Sequence, residues 1–243
     1  KDQGAYRWCT IEPRRICSGQ VNPDTIEGAI QQHRLVLELA PYTLTVSPLD
    51  CEALDLLFGF DFTYRGNHNQ LVAEALGVGP AMERLLEIPG TTVINHEPSL
   101  TVALDEECRL QCRLSVETRT NAYQVRTGDF PEEQLSVYVT ARQYGSLAAE
   151  RTFAETLERL EQVCHEMLEN HVIAHVLRLS VAGNSIFLRA DAAFPGDREQ
   201  RYGPFACADS RPDYSLSPPA CSRLPPERSL VPPMCSQLPL ACY

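Results

Sequence analysis

The stretch that most constrains the fold runs from Cys108 to Glu117 and reads CRLQCRLSVE. Its even positions are apolar or cysteine, and its odd positions are polar or charged. Side chains of a β-strand point alternately to the two faces of a sheet, so this period of two places the apolar groups on one face. Such a strand has one face in a core and one in solvent, as in many antiparallel sheets. We therefore predict a central antiparallel strand over residues 107–119.

Composition bounds the class of protein. The chain has 243 residues, and its apolar share of 44% is enough to bury a sizeable core. A formal charge of −11 argues against nucleic acid and against an anionic membrane surface as partners. No apolar run approaches the ~18 residues needed to span a bilayer. Cys108 and Cys112 point the same way from one strand, and we interpret them as core residues, which favours a cytoplasmic, reducing compartment.

The pattern divides the chain into three parts. Residues 1–21 have no sustained period and are predicted to be a loose N-terminal arm, whereas 22–179 are predicted to be a single α+β domain. Residues 180–243 are rich in proline and contain a repeat, in which Ser215–Cys221 recurs as Ser229–Cys235. Dense prolines prevent helices and sheet ladders, so this tail is predicted to be disordered. The alternative is that the tail is not the selected continuation of the domain.

Local signals predict the individual elements. The predicted helices are 22–33, 48–58, 67–76, a short helix from Pro80, and 146–178; the predicted strands are 34–40, 42–46, 60–65, two within 92–104, 107–119, 123–126 and 134–144. The region around residue 54 carries two competing signals. Ser47-Pro-Leu-Asp50 is a helix start, but Leu54 to Tyr64 alternates like a strand. Gly59 reconciles them by ending the helix before the strand.

These elements predict an α+β fold in which an antiparallel sheet of about five strands packs against a long C-terminal helix and against short helices. The long helix has an apolar stripe at intervals of three and four: Phe153, Leu157, Leu160, Cys164 and Met167. The order of elements resembles the helix-grip arrangement, in which a long terminal helix and a curved sheet enclose an apolar ligand cavity. That resemblance implies a cavity between sheet and helix.

One predicted sheet face carries several guanidinium groups beside an aromatic ring. The candidate ligand-binding residues are Arg109, Arg113, Arg126, Tyr138 and Arg142. Forked guanidinium donors match carboxylates, so this face is suited to a carboxylate ligand or an acidic partner strand. The alternative is a solvated face with cross-strand ion pairs, each of which contributes little.

A loose set of metal-ligand types follows the long helix. Cys164, His171 and His175 are seven and four residues apart, and could offer a metal three ligands, with Cys112 as a possible fourth. The alternative is that they are core and boundary residues of a packed stripe. The sequence does not identify a cofactor.

Gly66-Asn67-His68-Asn69 resembles the GNH[DE] box of calcineurin-like metallophosphoesterases. That resemblance implies that Asn67 and His68 help to hold a two-metal centre. The family's GDxxD and GHxH segments are missing, however, and Asn69 replaces the acidic residue of the box. The competing interpretation is a glycine turn followed by an Asn cap of helix 67–76.

Two function classes remain open. The first is a binding or assembly module without catalytic activity, which uses the sheet face or an oligomer interface and takes a protein partner or a second copy. The second is a small-molecule or metal-assisted pocket between the sheet and helix 146–178. The chain has no GxSxG, P-loop or GxGxxG motif, and this favours the first class.

Overall fold

The structure of the chain, a computed structural model, describes residues 4–147, 151–177 and 203–207. It has an α+β fold built on antiparallel strands. The strands are β1 (Tyr6–Glu12), β2 (Arg15–Val21), β3 (Ala53–Arg65), β4 (Ser99–Ala103), β5 (Leu110–Glu117), β6 (Glu132–Tyr144) and β7 (Gly203–Cys207). The helices are α1 (Ile26–Leu44), α2 (His68–Leu76), α3 (Pro80–Leu86), α4 (Ala122–Thr127) and α5 (Phe153–Met167), with a 3-10 turn at Pro48–Asp50 and a π-helix at Leu168–Leu177.

The strands form one sheet in the order β1-β2-β7-β3-β6-β5-β4, and every neighbouring pair is antiparallel. The predicted α+β class with an antiparallel sheet is confirmed. The sheet has seven strands where about five were predicted. The additional strands come from the predicted N-terminal arm and from the predicted tail, where β7 pairs with both β2 and β3. The rest of that tail lies outside the described residues.

The core lies between the sheet and helices α1 and α5. We call the sheet face toward these helices the inner face and the opposite face the outer face. β3 contributes alternate side chains that are all but fully buried: Leu54, Leu56, Phe58, Phe60 and Phe62. β6 adds Val137, Val139 and Ala141, and the stripe of α5 packs onto them. Burying one such large side chain contributes about 1.5–3 kcal/mol, so period-two positions dominate this layer.

The predicted central strand is confirmed over Leu110–Glu117 and is shorter than predicted. Cys112 is buried as expected, but Cys108 is exposed and adopts a positive φ of 55°. Its prediction as a core residue is wrong because the chain turns there. The carboxylate of Asp105 accepts hydrogen bonds from the backbone N–H groups of Arg109 (2.7 Å) and Leu110 (2.9 Å), which closes the turn before β5.

The prediction of a loop at the N-terminus is wrong for Tyr6–Val21, which form the β1–β2 hairpin. β1 is almost entirely exposed, so it lacks the alternation by which a half-buried strand is recognised. Trp8 lies against Gly19 of the partner strand. A Cβ atom at Gly19 would come within 2.3 Å of the Trp8 ring, so this contact requires glycine.

The predicted helix 48–58 is wrong, and the competing strand interpretation is right. Ser47 and Asp50 do form a capping box, but it starts only the 3-10 turn Pro48–Asp50. From Ala53 the chain is a continuous strand of thirteen residues. A cap contributes about 1 kcal/mol, whereas each buried Leu or Phe of β3 contributes more, so the period-two pattern prevails.

The predicted helix 22–33 begins later and continues much further. Thr25, rather than Asn22, is the N-cap, and its hydroxyl accepts from the Gly28 N–H at 3.0 Å. The helix then continues to Leu44, so the predicted strands 34–40 and 42–46 are wrong. The residues that α1 buries are Ala29, Ile30, His33, Leu37 and Ala40, and from Ile30 onward they lie three or four apart. The packing of that face keeps the chain helical beyond Pro41, which lies inside α1.

Three further predictions are corrected. Residues 123–126 form part of α4, which a capping box between Asn121 and Gln124 starts, and not a strand. Within 92–104 only Ser99–Ala103 is a strand. The helix predicted over 146–178 consists of α5, capped by Thr152, and the π-helix; residues 148–150 and 178 lie outside the described part.

Candidate functional site

The structure brings Arg113, Tyr138 and Arg142 onto the outer sheet face. Arg142 lies opposite Asp55 of β3 and binds its carboxylate with two nitrogens, Nε reaching Oδ1 at 2.6 Å. Asp55 is only 2% exposed, and the Tyr144 hydroxyl accepts a third hydrogen bond from Arg142 at 2.8 Å. Burial lowers the pKa of Arg142, but the bonds to Asp55 and its charge raise that pKa more, so the group stays charged.

Arg113 is exposed and donates from Nε to the Ser99 hydroxyl of β4 at 3.0 Å. Tyr138 lies over Gly59, where an added Cβ would be 3.1 Å from its ring. These groups neighbour one another on the face, as predicted, but each guanidinium already has a partner within the chain. Arg113, Tyr138 and Arg142 are therefore close enough to share a ligand, but the guanidinium groups already donate to groups of this chain.

Arg109 and Arg126 are not on this part of the face. Arg109 lies in the turn before β5, where it pairs with Glu107 at 3.2 Å. Arg126 belongs to α4, after the other end of β5, and stacks on the Tyr123 ring at 5.3 Å from its centroid. Arg109 and Arg126 lie beyond opposite ends of β5, so the five predicted residues do not form one binding site.

The predicted metal ligands differ sharply in burial. Cys164 is fully buried, and its thiol lies 3.7 Å from the Leu56 carbonyl, whereas His171 and His175 are exposed on the π-helix. Burial raises the pKa of Cys164, and it raises the pKa of Cys112 to about 11. Both are thiols at neutral pH, and a metal needs the thiolate. In the described ranges no three His, Cys, Asp or Glu residues are grouped to hold a metal ion.

The space between α5 and the sheet is filled with side chains. Leu157 and Leu160 of α5 are fully buried, as are Leu56, Val139 and Ala141 of the inner sheet face. Close packing of this kind has few voids larger than a water molecule. The part of the interface that is described therefore favours a structural core over the cavity that the helix-grip resemblance implies.

The Gly66–Asn69 segment forms the predicted turn and cap. The Asn67 side chain accepts from the backbone N–H groups of Asn69 and Gln70 and starts α2. His68 is buried and hydrogen-bonded at both nitrogens: Nε2 lies 3.1 Å from the Tyr64 carbonyl, and Nδ1 lies 3.4 Å from the Arg119 backbone N–H. This pairing requires the neutral imidazole, and burial lowers the pKa of His68.

The Asn69 side chain connects α2 to two loops that are distant in sequence, one around Ile94 and one around Thr120, by hydrogen bonds. The sequence analysis did not predict this role. Its buried amide donates to the carbonyls of Ile94 (2.8 Å) and Thr120 (3.1 Å). Its oxygen accepts from the backbone N–H of His96 and the hydroxyl of Thr118, each at 2.8 Å. In a metallophosphoesterase box the Asn and His side chains would bind metals. Here the side chains of Asn67, His68 and Asn69 form hydrogen bonds with the backbone and with Thr118.

The open edge of β4 is the least protected part of the sheet, and sequence reasoning missed it. The Leu104 N–H bonds to Leu110, and the Pro98 carbonyl accepts from Val116, so even-numbered residues face β5. In an antiparallel pair the odd-numbered residues then point their backbone groups away from β5. We define the open edge as Ser99, Thr101 and Ala103; no described strand lies beside it.

The side chains of β4 are also uncharged, and all of them except Val102 are exposed. Pro98–Leu104 contains no charged residue, and Leu100, on the inner face opposite the half-buried Leu114, is 65% exposed. The other edge strand, β1, carries Arg7 and Glu12. Natural sheets protect their edges with charges, prolines or bulges because an open edge pairs with other chains. The signal in the sequence was the uncharged alternation of SLTVAL.

A second exposed apolar region lies on α3 and the segment after it. No residue of α3 is buried, and Met82, Leu85 and Ile88 are all more than half exposed. α1 also exposes apolar side chains, among them Leu35, Leu39 and Tyr42, so exposed apolar surface is not confined to the neighbourhood of β4.

Comparisons with protein-family models, with curated proteins and with solved structures find no match to this chain. None of the helices in the described ranges has both the length and the apolar character to cross a membrane.

Proposed function

We propose that this chain is a protein-interaction module without catalytic activity, and that it binds an extended segment of a protein partner along the open edge of β4. The observation that carries this proposal is the edge itself, in which the backbone groups of Ser99, Thr101 and Ala103 face away from β5. A strand added there would extend the sheet, a recurrent mode of peptide recognition.

Backbone hydrogen bonds supply affinity in this mode. Three outward residues offer three N–H donors and three carbonyl acceptors, and each bond that forms contributes about 1 kcal/mol net. These bonds do not depend on the partner's side chains, so they favour any extended segment. Selectivity has to come from neighbouring side chains.

Leu100 and Val102 provide that selectivity on the inner face. Leu100 is largely exposed, and Val102 is partly buried beside Cys112. A partner strand with an apolar side chain opposite Leu100 would remove both from water, at about 25 cal/mol per Å² of apolar surface. The partner is therefore an extended segment with apolar residues at alternate positions.

The chemistry of the polar groups supports a role without catalysis. Arg142 and Asp55 bind each other, and His68 is held neutral by backbone groups. Cys112 and Cys164 are buried thiols with raised pKa values, which makes them poor nucleophiles. We place the module in a reducing compartment, such as the cytoplasm, because Cys9, Cys108, Cys112 and Cys164 are free thiols.

Selection from a phage-displayed peptide library tests the proposal. Wild-type chain is the target, and enriched peptides are measured against Thr101→Pro, which removes an edge N–H, and against Thr101→Val, which keeps it. We expect peptides with alternating apolar residues that bind wild type and Thr101→Val and lose affinity for Thr101→Pro at least about tenfold. Failure to enrich any peptide, or equal affinity for both variants, would contradict the proposal.

A further inference from the structure

We propose that the strand which pairs with β4 is β4 of a second copy of this chain, in an antiparallel pair related by a twofold axis at Thr101. This inference rests on the proposed function, because it names the occupant of the same edge. Three features of β4 carry it: the register of its outward backbone groups, its exposed apolar side chains and its lack of charge.

The register is self-complementary. With the axis at Thr101, the two Thr101 residues face each other, and Ser99 faces Ala103 of the partner strand at both ends. All three are outward residues, so each facing pair exchanges two N–H···O bonds, which gives six in total. An axis at Leu100 or Val102 leaves one outward residue of β4 without a partner within the strand. The Thr101 axis alone uses the whole of Ser99–Ala103.

The same register matches the side chains. Leu100 lies opposite Val102 of the second copy on the inner face, in the closely spaced pairs that alternate with hydrogen-bonded pairs. This contact covers the apolar side chain that one chain leaves 65% exposed. On the outer face the two Thr101 side chains meet, and threonine pairs are favourable cross-strand neighbours. A twofold pair of this kind closes, so it produces a dimer rather than a filament.

Charge explains why two copies would meet at this place. Each chain carries a formal charge of −11, so most approaches of two copies bring like charges together. Pro98–Leu104 is uncharged, so the paired residues themselves add nothing to this repulsion. At the two ends of the pair, Glu97 comes opposite Asp105 of the second copy. The dimer is therefore expected to be weak at low ionic strength and to tighten with salt.

Sedimentation equilibrium on the full chain tests the inference. We expect a monomer–dimer equilibrium whose Kd falls when the salt concentration rises from about 0.05 to about 0.5 M. Thr101→Pro should raise Kd at least about tenfold, because it removes a donor at the axis in both copies. The Thr101 N–H points away from β5, so this proline leaves the β4–β5 ladder intact. Thr101→Val is the matched control and should dimerise like wild type.

Leu100→Lys provides a second variant should the proline unfold the chain, since it places two charges in the pair without touching the backbone. It too should raise Kd at least about tenfold. A chain that stays monomeric at all concentrations, or dimers that both variants leave unchanged, overturns the inference. If the chain is monomeric while peptides still distinguish wild type from Thr101→Pro, the proposed function stands and only the second copy is wrong. If neither binding occurs, both fail.

Discussion

The loss of the Asn69 side chain should cost stability, because its one buried amide makes four hydrogen bonds. Asn69→Ala would remove the donor to the carbonyls of Ile94 and Thr120 and the acceptor of the His96 N–H. The Thr118 hydroxyl would keep only its longer bond to Glu97, at 3.2 Å. Unsatisfied buried groups cost about 1–3 kcal/mol each, and relaxation recovers part of this, so we expect a loss of about 2–4 kcal/mol. Urea unfolding monitored by circular dichroism measures it.

The neighbouring residue provides the control for that measurement. Gln70 is on the same helix turn, and its side chain reaches only Glu74, at 2.7 Å on the exposed face. Gln70→Ala should cost about 0.5 kcal/mol or less. A loss for Asn69→Ala no greater than for Gln70→Ala would mean that the loops are held by other contacts.

Asn69 also shows what sequence can and cannot reveal about single residues. The cap function of Asn67 is local, since its partners are two and three residues away, and it was predicted. The partners of Asn69 lie 25 and 51 residues away, and no spacing rule connects them. Arg142 and Asp55, 87 residues apart, are another such pair: the sequence suggested a charged face but not which carboxylate lies opposite.

At the scale of elements, Pro41 destabilises helix α1. It lies inside the helix, where proline removes one backbone hydrogen bond and crowds the preceding turn. Pro41→Ala restores the N–H, but it also frees the unfolded chain, which offsets part of the gain. We expect a net stabilisation of about 1 kcal/mol, seen as a higher midpoint in urea. An unchanged or lower midpoint would show that the proline is compensated in the fold.

The same helix explains why element prediction succeeded in some places and failed in others. β5 and β6 bury one face of a sheet, so their period of two is strong and was recognised. In β3 the strand was predicted only from residue 60, because the cap at Ser47 favoured a helix over 48–58. The Leu-rich run from Arg34 to Leu44 contains both β-favouring residues and a proline, which locally indicated strands. What makes it helical is the match between Leu37 and Ala40 and the sheet beneath them, a contact that local propensity does not contain.

At the scale of the whole molecule, strand order was beyond the sequence because pairing joins distant segments. The sheet places β7 between β2 and β3 and puts β4, from the middle of the chain, at one end. Alternation shows that a strand has a buried face, but it does not show which strands are its neighbours. The open edge of β4 therefore becomes visible only once the order is known, although its lack of charge is plain in the sequence.

Because β4 lies at the end of the sheet, dimerisation through it should stabilise the folded chain. A dimer that forms only from folded chains stabilises them by mass action, so the melting temperature should rise with protein concentration. Over a hundredfold range above Kd the gain is about 1.4 kcal/mol per chain, half of the gain for a simple ligand, which corresponds to about 3–6 °C in Tm. Differential scanning calorimetry of wild type and Thr101→Val should show this rise. Thr101→Pro should show a smaller rise over the same concentrations, because its weaker pairing leaves more of the chain monomeric. A rise as large as that of wild type would place the interface elsewhere, for example on the exposed apolar side chains of α3.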